Sequence, residues 1–356
     1  MDQETRLHSG PAPGGDTHHG NDANAEDEHG STAPHGGVYA ALDLGTNNCR
    51  LLIARPTGDG FRVVDSFSRI IRLGEGVSAT GRISDAAIAR AISALSICRD
   101  KIKQRKAKRL RLIATEACRA AVNADAFCDA VAQATGIRLE IIDRETEARL
   151  AAIGCSPLVD TAGRGAILFD IGGGSSELVR LARDPARPDL PPRIKAWMSI
   201  PLGVVTLAEQ FGGKVVTPDI YAAMIDEVAK HVAPFAAVNG DDLGGLHLLG
   251  TSGTVTTLAG LYLDLIRYDR RRVDGIWMSG EELTATIHRL RGMSYHDRAQ
   301  NHCIGAERAD LVLAGCAILD AVRAAFPLTR LRVADRGLRE GMLVEMMRED
   351  GVLGAV

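Results

Sequence analysis

Leu42-Asp43-Leu44-Gly45 and Phe169-Asp170-Ile171-Gly172 are two copies of one pattern, 127 positions apart and superimposed without a gap. Each copy closes an apolar run of strand length, Val38–Asp43 in the first case and Ala166–Asp170 in the second. Runs that are apolar throughout suit strands buried on both faces. A turn of small residues follows each run, Leu44–Asn48 and Ile171–Ser176, and then a return strand, Cys49–Ala54 and Glu177–Val179. A hairpin repeated at the head of each half predicts two copies of one α/β unit, facing each other across a cleft.

The rest of the chain fills out the two units. Phe61–Ile71 and Ile194–Ile200 read as their third strands. Ser84 caps a helix with Ile88, Ile92, Leu95, Cys98 and Ile102 at helical spacing. Leu110–Ala114 is a short strand, Asn123 opens a helix, and Leu139–Ile142 leads into a helix that begins near Asp143. Leu246–Leu249 feeds Gly250-Thr251-Ser252-Gly253-Thr254 and the helix Val255–Leu263. The remainder reads as mainly helical, apart from a strand at Leu331–Val333. One large dinucleotide-binding sheet is disfavoured, because no G-x-G-x-x-G follows a strand, and no Walker A sequence is present.

Composition narrows the class. With 46% hydrophobic and 24% charged residues the chain is ordinary for a globular protein. Its seven cysteines are scattered and never form a CxxC pair, which predicts a reducing compartment, and hence the cytoplasm, rather than a disulfide scaffold. No apolar run has the length of a membrane span, so no membrane association is expected. The net charge of −3 hides two opposites. Residues 1–37 carry one base and seven acids, with half of the ten histidines and no apolar period, and read as a disordered acidic tail. The body carries 41 bases against 38 acids. An aromatic fraction of 4% and the lack of a recognition module argue against nucleic acid as a partner.

Chemistry concentrates in the loops. Gly172, Gly173 and Gly174 lack the Cβ atoms that keep backbone away from an anion, and with Ser175 and Ser176 they can surround phosphate oxygens. Asp170 before that loop and Glu177 after it call for a cation between acid and phosphate, Mg²⁺ or another divalent ion. Asp43, Gly45, Thr46, Asn47 and Asn48 supply the matching loop of the first half. Thr251, Ser252 and Gly253 form a third polar loop at a helix N-terminus, where free N–H groups favour anions.

These stretches, together with Thr115-Glu116-Ala117-Cys118-Arg119, Glu145-Thr146-Glu147-Ala148-Arg149 and Gly337-Leu338-Arg339-Glu340-Gly341, occur in an order that resembles the exopolyphosphatase/guanosine-pentaphosphate phosphatase family. The resemblance covers roughly residues 38–347. It implies an α/β fold of two ribonuclease-H-like domains of the actin/hexokinase/Hsp70 superfamily, with an interdomain cleft. The expected divisions are the tail at 1–37, domains at 38–158 and 159–335, and a C-terminal helix within 336–356 that packs back on the first domain. The family's water-activating glutamate falls on Glu147, with Glu145 the competing acid. Asp170 and Glu177 match the metal positions, and Arg119 matches an arginine that would neutralise the terminal phosphoryl group.

The resemblance further implies hydrolysis of a terminal phosphoanhydride of inorganic polyphosphate, with guanosine pentaphosphate (pppGpp) as the alternative substrate. A small-molecule kinase of the same superfamily and a non-catalytic nucleotide sensor are the other readings. Longer relatives carry an additional C-terminal helical domain; this chain ends at Val356 and reads as the short form. Many two-domain members pair as homodimers, although no patch of this sequence displays such a surface. Two basic runs, Lys101 to Arg111 and Arg267 to Arg272, are candidate tracks for a polyanion.

Overall fold

The computed structural model describes residues 37–187 and 189–354, so the expected acidic tail lies, but for Gly37, outside the described residues. The first half forms β1 (Tyr39–Leu44), β2 (Asn48–Thr57), β3 (Gly60–Ile70), β4 (Arg109–Ala114) and β5 (Glu140–Ile141). The second forms β6 (Gly165–Ile171), β7 (Ser176–Ala182), β8 (Arg193–Ile200), β9 (Leu246–Thr251), β10 (Trp277–Ser279) and β11 (Arg330–Ala334). The strand order is β3-β2-β1-β4-β5 in one sheet and β10-β11-β9-β6-β7-β8 in the other. Read from β8 inward, the second sheet repeats the plan of the first, with β10 added at its edge. This is the ribonuclease-H-like arrangement, present twice.

The repeat extends to single hydrogen bonds. Asp43 stands opposite Arg50 in the first hairpin, and Asp170 stands opposite Glu177 in the second. Gly45 N–H donates to Asn48 O and Gly172 N–H donates to Ser175 O, both at 2.9 Å. Both glycines therefore tie the same turn at equivalent positions.

Alternation along the central strands decides what each face meets. Ala40, Leu42 and Leu44 join a core with Ala87, Ala91 and Leu95 of the helix Asp85–Gln104. Tyr39 and Ala41, on the other face, pack with Leu338, Met342, Leu343 and Met346 of the helix Leu338–Glu349. In the second sheet Ile167, Phe169 and Ile171 enter the large core with Val228 and Leu319. Ala166 and Leu168 meet Ala148, Ala152 and Cys155 of the helix Arg144–Cys155. Asp43 and Asp170 continue the second kind of face, at the strand ends.

The helices Arg144–Cys155 and Leu338–Glu349 lie against each other between these two faces. A Cβ on Gly154 would stand 2.0 Å from Gly337 O, and one on Gly341 would stand 2.0 Å from Leu150 O. Glycine at both positions permits the close approach. Each Leu or Met side chain buried in this layer contributes about 1.5–3 kcal/mol.

Three local features depart from expectation. A five-residue helix, Glu116–Ala120, follows β4, and β10 extends the second sheet. Asn123 does precede the helix Ala124–Thr135, but its side chain does not cap it. The amide instead exchanges two hydrogen bonds with the backbone of Ile83, each 2.9 Å.

Candidate active site

One cavity of about 680 Å³ opens where the loops of the two sheets converge. Asp43, Gly45, Thr46, Asn47 and Asn48 line it from the first sheet. Asp170, Gly172, Gly173, Gly174, Ser175 and Glu177 line it from the second, and Thr251, Ser252 and Gly253 from the third loop. Two expected residues are absent from the wall. The Ser176 hydroxyl is buried and donates to Leu202 O at 2.7 Å, which spends it on the neighbouring turn. Arg119 lies behind the wall, bonded to other side chains.

The glycine triplet has a steric cause within the fold itself. A Cβ on Gly173 would meet Thr46 Cβ at 2.8 Å, and one on Gly174 would meet Thr46 Oγ1 at 2.9 Å. The loops of the two sheets touch there. Carbonyls of Gly172 and Gly173 also accept the N–H groups of Val204 and Val205 at the start of the helix Val204–Phe211.

Glu147 reaches the cavity from the first turns of the helix Arg144–Cys155. Asp143 sets the phase of that helix, its carboxylate accepting Thr146 N–H at 2.7 Å. Glu147 lines the wall, whereas Glu145 is exposed outside it. Arg119 donates to Glu147 Oε2 at 2.7 Å, to Glu116 Oε2 at 2.9 Å and to Ile142 O at 2.8 Å. Glu116, itself on the wall, takes a further bond from Arg144 at 2.7 Å. Arg119, expected beside the terminal phosphoryl group, holds Glu147 here.

The carboxylates are crowded and largely withdrawn from solvent. Burial, then the charge of Glu177, pushes Glu147 up to about 8, against the pull of Arg119. Burial, then Glu147, pushes Asp170 up to about 7. Burial, then Asp170, pushes Glu177 up to about 7, although Ser175 and Ser199 hydroxyls donate to it at 2.9 Å. Asp43 is also raised by burial, with Arg50 and Arg339 drawing it back. Four acids that resist ionising together are a place for a cation.

Whether the residues fit a divalent ion can be judged from their donors. Asp170 and Glu177 sit on one face of a strand pair and offer hard oxygens. Two buried amide oxygens nearby, Asn47 Oδ1 and Asn48 Oδ1, have no partner, which suits hydrogen bonds from ordered or coordinated water. Among the described residues no group of three or more His, Cys, Asp or Glu forms a metal cage. Mg²⁺ does not need one, since it keeps several waters and is commonly held by one or two carboxylates together with phosphates. The site fits.

Several wall residues were not anticipated. Arg50, Arg308 and Arg339 line the cavity, and their side chains make no hydrogen bond or ion pair among the described residues. Their neighbours are spent: Arg270 pairs with Glu340 at 2.9 Å, and Arg336 with Asp274. Arg50 was open to discovery, because the repeat places it where Glu177 stands in the other hairpin. Arg308 lies in an irregular segment with no period to mark it. The first basic run is largely neutralised by the fold. Lys101 and Arg105 hold Asp65, Arg109 holds Glu349, and Arg111 holds Glu140 and Glu345.

Comparison with known proteins agrees with this geometry. Residues 52–350 match the model of the Ppx/GppA phosphatase family. Exopolyphosphatase 2 of Mycobacterium tuberculosis is 30% identical over 322 residues, covering 86% of this chain and 98% of that protein. A guanosine-5'-triphosphate,3'-diphosphate pyrophosphatase of Photobacterium profundum is 28% identical over 318 residues, 87% of this chain; the chain spans 59% of that relative's length. The crystal structure of the Aquifex aeolicus Ppx/GppA family member superimposes with a TM-score of 0.72 at 27% identity, covering 88% of this chain and 98% of that one. Two hairpin-led sheets, loops that meet over a cluster of acids, and these likenesses have one source: the chain belongs to the Ppx/GppA phosphatase family.

Proposed function

We propose that the protein hydrolyses a terminal phosphoanhydride and releases orthophosphate from inorganic polyphosphate. The observation that carries this reading is Glu147: a buried carboxylate raised to about 8, facing the cavity where two aspartate-led glycine loops meet. A base with that affinity for protons suits the activation of water near neutral pH.

In the proposed reaction a water attacks the terminal phosphorus and passes a proton to Glu147. The bond from that phosphorus to the bridging oxygen breaks, and the shortened chain leaves with the electron pair. Arg119 orients Glu147 through its 2.7 Å bond and limits the rise of its pKa. Backbone N–H groups of the converging loops and the unpaired Arg50, Arg308 and Arg339 hold the phosphate oxygens, where guanidinium planarity favours two-point contacts. Asp170 and Glu177 would hold a divalent cation such as Mg²⁺, whose charge would offset that of the phosphates and of the acids themselves.

Guanosine pentaphosphate is the second substrate to test. It is favoured by the name of the Photobacterium relative and by two ring side chains on the wall, Tyr268 and His302. A reducing cytoplasm is the setting we infer. All seven cysteines are unbridged, and among the described residues no helix is long and apolar enough to cross a membrane.

The test is phosphate release from tripolyphosphate, longer polyphosphates, pppGpp and ATP, with and without Mg²⁺. Release that needs Mg²⁺ and no acceptor is expected from polyphosphate or pppGpp. Transfer to an added alcohol or acid would indicate a kinase, and tight binding without turnover a sensor; either would overturn the proposal.

A further inference from the structure

Arg72 lies just beyond β3 in a left-handed backbone conformation, with φ of 47°, that non-glycine residues seldom adopt. Backbone bonds fix it there. Ile71 and Arg72 N–H both donate to Asn47 O, and Gly74 N–H donates to Thr46 O, so this turn is tied to the first loop of the cavity. Its side chain leaves that turn and crosses to the second half of the molecule. Both Nη atoms donate to the Asp310 carboxylate at 3.0 Å, and Nη2 also donates to Glu307 O at 3.0 Å.

The receiving segment is equally well anchored. Arg298, 3% exposed, donates to Ala309 O at 3.0 Å and to the carbonyls of Met293, Gly213 and Lys214. Between the two residues that Arg72 grips stands Arg308, one of the unpaired arginines of the cavity. Its Nη1 would lie 3.6 Å from a Cβ placed on Gly253, so it sits at the third loop. A second bridge runs parallel to the first. Glu209, on the helix Val204–Phe211, accepts Gly76 N–H at 2.9 Å and the hydroxyl of Ser78.

We infer that Arg72 and Asp310 are a positioning pair, clasping the first phosphate loop to the segment that carries Arg308 and so setting that guanidinium for the substrate's phosphate. The inference rests on the hydrolase reading for its substrate, but the clasp itself is a matter of binding. A bidentate pair fixes direction as well as distance, and here Arg72 is held by its own backbone while Asp310 adjoins the anchored carbonyl of Ala309. Joining the two loops and completing the phosphate site thus depend on one contact. Without the clasp, Arg308 is presented correctly in only a fraction of molecules, and the apparent affinity falls by that fraction.

The experiment is a double-mutant cycle on the full chain with Mg²⁺. Arg72→Gln and Asp310→Asn are each expected to raise KM for tripolyphosphate about tenfold with kcat within about twofold. In an Arg308→Ala background, where affinity is already weakened, adding Arg72→Gln is expected to change KM by less than about twofold, because the pair acts through Arg308. A full tenfold increment in both backgrounds, or an unchanged KM in both single variants, would overturn the inference. Asp310→Asn carries the cycle if Arg72→Gln fails to fold. The same cycle read by calorimetric titration of tripolyphosphate separates the two claims. Binding that obeys the cycle without any turnover counts against hydrolysis alone, whereas turnover with an additive cycle counts against the clasp alone.

Discussion

Glu145 and Glu147 are two positions apart on one helix, and 100° per residue turns them about 200° from each other. Only one can face the cavity, and the phase set by Asp143 at the N-cap selects Glu147. The motif named both acids, while their opposite orientation needed the position of the helix against the second sheet. Glu147→Gln keeps the shape and the bond acceptor but removes the base. Orthophosphate release is expected to fall by about 10²–10⁴, while calorimetry shows tripolyphosphate still bound. Unimpaired release would exclude Glu147 as the base. Arg119 illustrates the opposite limit of a sequence. An arginine in a phosphatase motif reads as a phosphate ligand, yet its three bonds here go to Glu147, Glu116 and Ile142.

At the scale of elements, legibility follows length and locality. The two hairpins were visible because an apolar strand and a glycine turn are written in adjacent residues. The five residues Glu116–Ala120 and the three of β10 are too short to show a period, and packing rather than propensity holds them. The resemblance implies a C-terminal helix that packs back on the first domain, but which face of Leu338–Glu349 it buries was hidden for another reason. It buries Leu338, Gly341, Met342, Leu343, Met346 and Met347, against elements hundreds of residues earlier. Glu345 anchors its outer side through Arg149 and Arg111. Burial opposes ionisation of Glu345, but these two arginines prevail and hold its carboxyl below the usual range. A depressed carboxyl stabilises the fold above its unfolded pKa and loses that contribution as pH falls through the folded value. Glu345→Gln is therefore expected to cost about 2 kcal/mol at pH 7, measured by urea unfolding, and the difference from the parent should shrink steadily below about pH 4.5. A cost independent of pH would mean that packing, not the ion pairs, docks this helix.

On the scale of the whole molecule, the decisive feature is that both halves bring an acid to the same place. Asp43 and Asp170 stand at equivalent strand ends, Glu177 faces Asp170 across its hairpin, and Glu147 arrives on the helix between the sheets. The repeat alone announced two aspartates. That all four acids line one cavity came only with the fold, since burial supplies the largest part of each shift. Their sign is opposite to that of Glu345. A carboxyl raised in the folded state stabilises fully below its unfolded pKa of about 4, and that contribution is lost as pH rises through the folded value. With Glu147 near 8 and Asp170 and Glu177 near 7, the loss begins above about pH 4 and is complete by about pH 9. Chelator-treated protein should accordingly melt a few degrees lower at pH 9 than at pH 6. A divalent cation prefers the ionised acids, so Mg²⁺ should recover most of that difference at pH 9 and little at pH 6, by mass action on the folded state. Asp170→Asn removes one raised acid and one cation ligand together, and should flatten both the pH slope and the response to Mg²⁺ in the same melting experiment. A variant that retained the full Mg²⁺ response would place the cation elsewhere than between Asp170 and Glu177.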